Sequence, residues 1–181
     1  MKSFRLPILL LVLSLAAMGR AYALTTTSFE LVSTNTACLP NAAGHVTVLH
    51  KEEVRGVDTL KLEVHGLPAG AGFSVFLTAG GLTTPGGFGA VSYVGDLTTN
   101  ATGSGTLLVD ATIAEAFLST RVGDPPTRVR TDLDQVVLWF AEPAEVPACF
   151  RFTGSTPFDD DGQGGPAVLS STGTTGLEIF P

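Results

Sequence analysis

The chain has 181 residues and is acidic, with 17 Asp and Glu against 10 Lys and Arg and a net charge of −7 at pH 7. This balance argues against nucleic acid as a partner, because phosphates require a basic surface, and against docking on anionic lipid. The 21 glycines and 11 prolines indicate a fold with many turns.

The first 23 residues have the pattern of a secretory signal peptide. A basic start, a short apolar run and a small-x-small cleavage site follow one another, carried by Lys2 and Arg5, by residues 6–18 and by Ala21-Tyr22-Ala23. The apolar run is shorter than the roughly 20 residues that a membrane span needs, so we expect no stable membrane insertion after cleavage. The pattern predicts a signal peptide over residues 1–23 and a secreted or periplasmic location.

Cleavage after Ala23 leaves residues 24–181, a length that suits one domain. The removed segment contains three of the basic residues and none of the acidic ones, so seven basic residues remain against 17 acidic ones. The exported domain then has a net charge of −10, which strengthens the argument against a nucleic-acid partner.

Along this domain, apolar and polar residues alternate with a period of two, which predicts half-buried β-strands. In LKLEV, for example, Leu60, Leu62 and Val64 face one way while Lys61 and Glu63 face the other. Eight strands are predicted, over residues 28–32, 44–51, 60–64, 73–78, 91–97, 105–112, 135–141 and 148–152.

Two further strands show different patterns. In VSYVGDL, the alternation predicts that Val91, Tyr93 and Leu97 share one face. QVVLWFA, residues 135–141, is apolar throughout, which is typical of a central strand and places Trp139 in the core. The alternative is that this tryptophan and the phenylalanine after it form an exposed sugar-binding platform.

Turn-forming residues separate the predicted strands. GLPAGAG at 66–72 and TTNATGSG at 98–105 are each short enough to close a hairpin. Residues 79–89 and 121–132 are predicted to be longer surface loops, the second of which holds three of the seven remaining basic residues. Residues 110–120 are predicted to end a strand and then form a short helical turn.

These elements predict an all-β fold, a single antiparallel β-sandwich of about eight strands that is immunoglobulin-like in general architecture. A closed barrel is the alternative. Cys38, Trp139 and Cys149 occur in the immunoglobulin order, but the tryptophan lies only ten residues before the second cysteine. That spacing argues against the immunoglobulin family itself.

Cys38 and Cys149 are the only cysteines of the chain. In an oxidising compartment, one disulfide between them is the simplest interpretation. A closed loop of this length restricts the unfolded chain by about 4 to 5 kcal/mol in the entropic model. Free thiols or a pair of metal ligands are the alternatives, although no residue nearby completes a metal site.

The acidic segment PFDDDGQGGP, residues 157–166, has half of the spacing of a calcium loop. Asp159, Asp161 and Gln163 match the first ligand positions, and Gly164 matches the turn. The twelfth position is Ser170, which cannot supply a bidentate carboxylate. We expect an exposed acidic turn, with Ca²⁺ bound at these three residues as the alternative and a catalytic carboxylate cluster as a third interpretation.

The remaining motifs are weak. His45, His50 and His65 are expected on the surface, since no spacing brings them together as metal ligands. The sequence contains no nucleophile elbow, zinc-protease helix or phosphate loop, so no catalytic residue is assigned. Asn100 begins an N-x-T glycosylation acceptor, which matters only in a host with that machinery.

Three segments carry a resemblance to a group of bacterial secreted proteins of uncharacterised function: LKLEVHGLPAGAGFSVFLTAGG, YVGDLTTNATGSGTLLVDA and FDDDGQGGPAVLSS. The resemblance covers most of residues 58–170 and implies an exported β-sandwich with no known activity. A weaker resemblance, in the strand–GLP–strand pattern, links the chain to the CHRD domain. That family carries a His-rich segment after GLP, whereas GFSVFLTAG contains no histidine, so a dismutase-like copper site is not expected here.

Together these features predict an exported, non-enzymatic β-sandwich that binds an unknown protein or glycan ligand or serves as a cell-envelope component. The first alternative is a calcium-dependent module that binds a ligand such as a glycan. The second is a hydrolase with an unrecognised carboxylate site.

Overall fold

The structure is a computed structural model that describes residues 24–51, 56–81, 87–154 and 164–171. The predicted signal peptide over 1–23 lies outside the described residues and stays a prediction. So does the candidate calcium site, because Asp159, Asp161 and Gln163 also lie outside them. No helix in the described part of the chain is both long enough and apolar enough to cross a membrane.

The described residues form an all-β fold, as predicted. Two short 3₁₀ helices, Pro143–Glu145 and Ala148–Phe150, follow the ninth strand. In chain order the strands are β1 Thr25–Ser33, β2 Ala43–His50, β3 Asp58–His65, β4 Gly72–Thr78, β5 Val91–Thr98, β6 Gly105–Ala111, β7 Phe117–Val122, β8 Thr127–Asp132, β9 Gln135–Phe140 and β10 Ala167–Ser171.

Eight of the strands form one antiparallel sheet in the order β5-β4-β9-β10-β1-β2-β3-β6, and β7 pairs only with β8. The two edge strands approach each other: a Cβ built on Gly95 of β5 would lie 3.3 Å from the side chain of Leu107 on β6. The sheet therefore curls into a nearly closed barrel, consistent with the predicted sandwich or barrel. We call the line between β5 and β6, which are not hydrogen-bonded neighbours, the seam.

The core fills the inside of this curled sheet. Leu60, Leu62 and Val64 of β3 point inward while Lys61 and Glu63 between them are exposed, as the alternation predicts. Strand β9 pairs with β4 on one side and β10 on the other, and all six of its residues are buried. The prediction of a central strand at 135–141 is thus confirmed.

Two turns close one end of the barrel, which we call the closed end. The hydroxyl of Thr99 donates to the carbonyl of Pro68 at 2.6 Å and accepts from the amide of Ala71 at 3.1 Å. The amide of Leu67 donates to the carbonyl of Gly103 at 3.1 Å. The segments 66–71 and 99–104 therefore seal this end together.

The connection at 66–72 is not a hairpin, contrary to prediction. It joins β3 to β4, which lie far apart in the strand order, so it crosses the closed end. The turn at 99–104 does reverse the chain, with the amide of Asn100 donating to the carbonyl of Ser104 at 2.8 Å. It links β5 and β6 across the seam, where no ladder forms between them.

The predicted disulfide is present at the closed end. Cys38 and Cys149 are bonded, with their Cα atoms 5.5 Å apart and 111 positions apart in sequence. Phe150, beside Cys149, packs edge-on against Phe140 of β9 at 5.6 Å between ring centroids. The bond thus ties the loop between β1 and β2 to the segment that follows β9.

Two other predictions about elements were wrong, and one strand was missed. The apolar run at 148–152 is not a strand: Ala148–Phe150 form a 3₁₀ helix, from which Phe150 packs against the core. Residues 121–132, predicted as a loop, form most of the β7–β8 ribbon. Strand β10 was not predicted, although its register with β1 and β9 places it in the middle of the sheet.

Candidate ligand-binding site

A pocket of about 310 Å³ lies beside the seam, at the end of the barrel opposite the closed end. Ile113 and Leu133, both buried, fill the barrel interior at this end. The pocket is lined by Leu77, Ser92, Tyr93, Val94, Ala111, Thr112, Glu115, Ala116, Phe117 and Leu133. Its lining therefore includes three residues with hydroxyl groups (Ser92, Tyr93 and Thr112), one carboxylate and a half-exposed phenylalanine.

The wall from β5 is shaped by a β-bulge. Strand β5 pairs Gly95 with Val75 and Tyr93 with Phe76, so Val94 is an extra residue in the register. A bulge of this kind changes the face of the sheet toward which the neighbouring side chains point. Tyr93 consequently lies on the same face as Phe76, with the rings edge-to-face at 5.7 Å, and is 53% exposed.

The prediction that Tyr93 shares the inward face of Leu97 is therefore wrong. Without the bulge, positions 93, 95 and 97 would share one face, since side chains alternate along a strand. The sequence signal was Gly95, because an isolated glycine within a strand pattern suggests a bulge or a close approach.

The opposite wall is a tight turn between β6 and β7. The buried carboxylate of Asp58, at the start of β3, accepts hydrogen bonds from the amide of Lys51 at 2.9 Å and the amide of Ala114 at 3.0 Å. The amide of Ala116 donates to the carbonyl of Ile113 at 3.2 Å. These hydrogen bonds thus anchor the turn that carries Glu115 to the start of β3.

The β7–β8 ribbon projects from this turn. In its register, Ser119 lies opposite Arg130 and Arg121 lies opposite Arg128. Because side chains alternate, one face of the ribbon carries every second residue of each strand. We call this exposed face the Arg face; it consists of Phe117, Ser119, Arg121, Arg128, Arg130 and Asp132.

Arg130 joins the Arg face to the pocket. Its guanidinium carbon lies 4.1 Å from the ring centroid of Phe117, a cation–π geometry. Its Nη2 lies 3.7 Å from Oε2 of Glu115, and its Nε donates to Oδ1 of Asp132. Phe117 and Glu115 both line the pocket, so the two surfaces are continuous.

The predicted glycosylation acceptor lies away from this site. Asn100 is exposed in the turn at the closed end. Its Oδ1 accepts hydrogen bonds from the amide and hydroxyl of Thr102 at 2.9 and 2.7 Å, and from the amide of Ser104 at 3.1 Å. The side-chain oxygen therefore braces the turn that links the two edges of the sheet.

The histidines and the tryptophan lie at separate places. His45 pairs with Glu30 on the sheet surface, Nδ1 to Oε1 at 2.7 Å, and the Nε2 of His50 lies 2.8 Å from the Thr27 hydroxyl. Among residues 24–51, 56–81, 87–154 and 164–171, no group of three or more His, Cys, Asp or Glu is placed to hold a metal ion. Trp139 is 3% exposed, which confirms its prediction as a core residue.

No protein-family model, curated protein or solved structure matches this chain. Sequence reasoning did not single out the residues around the pocket. Glu115 and Phe117 lay in residues 110–120, which were predicted to end a strand and then form a short helical turn; the prediction of a helical turn was wrong, since β7 begins at Phe117. Arg130 lay in a predicted loop. Besides Gly95, the placement of three arginines within residues 121–132 was a sequence signal, and the register of β7 and β8 puts them on one face.

Proposed function

We propose that this chain is an exported, non-enzymatic binding protein whose pocket, beside the seam and opposite the closed end, takes a sugar ring of a glycan. The observation that carries the proposal is the pocket lining: an exposed aromatic, Phe117, beside the hydroxyl groups of Ser92 and Thr112 and the carboxylate of Glu115. Sugar rings offer apolar C–H faces and a rim of hydroxyl groups, and this wall supplies a partner for each.

The dimensions and position of the pocket support a small polar ligand. Its volume of about 310 Å³ lies at the lower end of the range for ligand sites. It opens at the edges of two strands that do not pair with each other, and strand edges present backbone donors and acceptors to whatever lies beside them. Hydroxyl groups of a sugar suit such edges because each can donate and accept.

Binding is favoured over catalysis by the carboxylate content of the pocket. Hydrolysis of glycosides generally requires two carboxylates on either side of the scissile bond. Among the residues that line the pocket, Glu115 supplies the only one. Export is supported by the signal-peptide pattern over residues 1–23, by the Cys38–Cys149 disulfide and by the resemblance to secreted β-sandwich proteins.

The proposal is tested by titrating the exported chain with a panel of neutral and acidic saccharides, with binding measured by calorimetry. We expect at least one class to bind, and Phe117→Ala to weaken that binding by about 5- to 30-fold, because an aromatic contact at the centre of a site is worth roughly 1–2 kcal/mol. No binding by any saccharide would overturn the proposal.

Leu108→Ala is the matched control. Leu108 is 68% exposed on β6 but does not line the pocket. Its truncation removes a comparable exposed apolar side chain and is expected to leave saccharide affinity unchanged. An equal loss in both variants would mean that the saccharide binds to apolar surface in general and not in the pocket.

A further inference from the structure

The Arg face concentrates positive charge on an otherwise acidic domain. It holds Arg121, Arg128 and Arg130, which are three of the seven basic residues that follow residue 23. The other four basic residues are Lys51, Arg55, Lys61 and Arg151. Outside the ribbon they face 15 of the 17 acidic residues.

The pairing of two arginines across the ribbon is unfavourable for the ribbon itself. Arg121 and Arg128 occupy directly opposite positions on β7 and β8, and like charges at such positions destabilise a strand pair. Among the described residues, no carboxylate forms an ion pair with either of them; Arg128 Nη1 donates to the hydroxyl of Ser119 at 3.2 Å. An anionic group bound between the two guanidinium groups would relieve this repulsion.

The ribbon is also placed to act together with the pocket. Phe117 belongs to both surfaces, and Arg130 packs over its ring. The residues between Phe117 and the tip of the ribbon on this face are polar or basic and exposed. A chain with one unit in the pocket would therefore have its next units along the arginines.

We infer that the ligand is an acidic glycan, with one sugar ring in the pocket and the carboxylates or sulfates of neighbouring units on Arg121 and Arg128. This inference rests on the proposed function and names its ligand class. Guanidinium groups bind both anions through paired N–H donors. The acidic remainder of the domain repels a polyanion, so the Arg face is the place where such a chain can approach.

The test compares polymers that share a sugar backbone and differ in charge. Polygalacturonate is compared with its methyl ester, and dextran sulfate with dextran, by calorimetry on the exported chain. We expect the charged member of at least one pair to bind about tenfold or more tightly than its neutral counterpart, and its affinity to fall with added salt. The pair that shows the difference identifies the anion as a carboxylate or a sulfate.

Arg121→Gln and Arg128→Gln are each expected to weaken binding of the charged polymer by about tenfold, which corresponds to the loss of one charge-assisted contact. Lys61→Gln, which removes an exposed charge on β3, serves as the control and is expected to have no effect. All three positions are on the surface, so the variants should fold; the emission of Trp139, the single tryptophan, checks this.

Two results would overturn the inference. One is equal affinity for the charged and neutral members of both pairs. The other is unchanged binding of the charged polymer by the two arginine variants, or an equal loss in Lys61→Gln. If a neutral saccharide binds and Phe117→Ala weakens it while the arginine variants do not, the pocket proposal stands and the acidic-glycan inference fails.

Discussion

The hydroxyl of Tyr93 donates a 2.6 Å hydrogen bond to Oδ2 of Asp96, three residues further along the same strand. In a regular strand these residues would face opposite sides, and the bulge at Val94 brings them to the same side. Oδ1 of Asp96 accepts from the hydroxyl of Ser74 on β4 at 2.8 Å. One carboxylate thus holds the bulge and the neighbouring strand together at the pocket wall.

We therefore expect Tyr93→Phe to lower the free energy of unfolding by about 0.5–1.5 kcal/mol, since it removes one hydrogen bond to a charged group on a partly exposed surface. Urea unfolding measures the change. In Asp96→Ala, which has no acceptor at this position, the same Tyr93→Phe substitution should cost almost nothing. A full cost in both backgrounds would show that the tyrosine hydroxyl does not act through Asp96.

The second prediction concerns the buried carboxylate of Asp58, which accepts from the amides of Lys51 and Ala114. Asp58→Asn replaces one acceptor oxygen by an NH₂ donor that faces a backbone N–H. We expect the free energy of unfolding to fall by about 1–3 kcal/mol, the cost of an unsatisfied buried group. Hydrogen exchange at residues 113–116 should rise, because that turn loses its anchor.

Asp110→Asn is the control for this substitution. Asp110 lies near Asp58 and pairs with Lys51 at 3.3 Å, but its side chain is 59% exposed. Because this carboxylate is solvent-exposed, although Lys51 is mostly buried, its loss should cost roughly 0–1 kcal/mol, less than the loss at Asp58, in urea unfolding. Equal effects of the two substitutions would show that burial of Asp58 does not set the cost.

The disulfide gives the third prediction. Replacing Cys38 and Cys149 together by serine is expected to lower the free energy of unfolding by about 2–5 kcal/mol, because the bond closes a loop with a sequence separation of 111. Saccharide affinity of the folded variant should not change, since the bond lies at the closed end. A reductant should destabilise the parent chain and leave the double variant unaffected; an effect on both would point to a different cause.

Most strands of the barrel can be predicted from the local sequence, but the way in which the sheet closes cannot. The alternation in residues 60–64 identifies β3 because one of its faces meets the core and the other meets water. The partners of β3 and β4 depend on contacts between distant segments, so the connection at 66–72 looked like a hairpin. The run at 148–152 is apolar enough for a strand, but only Phe150 packs against the core, edge-on to Phe140, and no residue of its 3₁₀ helix is fully buried.

The candidate site was harder to predict than the fold for a related reason. The β7–β8 ribbon exposes most of its side chains on both faces, so its sequence shows no apolar alternation to mark it as two strands. The three arginines come together through strand register, and the pocket through the bulge at Val94. The strand register depends on distant partners, and Gly95 suggests a bulge without showing which residue is the extra one.

The fourth prediction uses Trp139, which lies on the outer side of β9 with Phe76 and is covered by Phe88. The rings of Phe76 and Phe88 meet that of Trp139 edge-on at 5.2 and 4.9 Å between centroids. Phe88 is held there by a short ladder, in which the amide of Gly80 donates to its carbonyl at 2.9 Å. The emission of the single tryptophan therefore reports on this outer cluster.

We expect Phe88→Ala to shift the emission of Trp139 to longer wavelength and to increase its quenching by acrylamide, because the indole becomes accessible to water. The free energy of unfolding should fall by roughly 1–2 kcal/mol, less than for a fully buried phenylalanine, since Phe88 is only partly buried.

Phe150→Ala is the control: it removes an edge-on contact with Phe140 on the inner side of the same strand. That variant should lose stability without any change in emission. Unchanged emission and quenching in Phe88→Ala would show that the loop does not cover the tryptophan in solution.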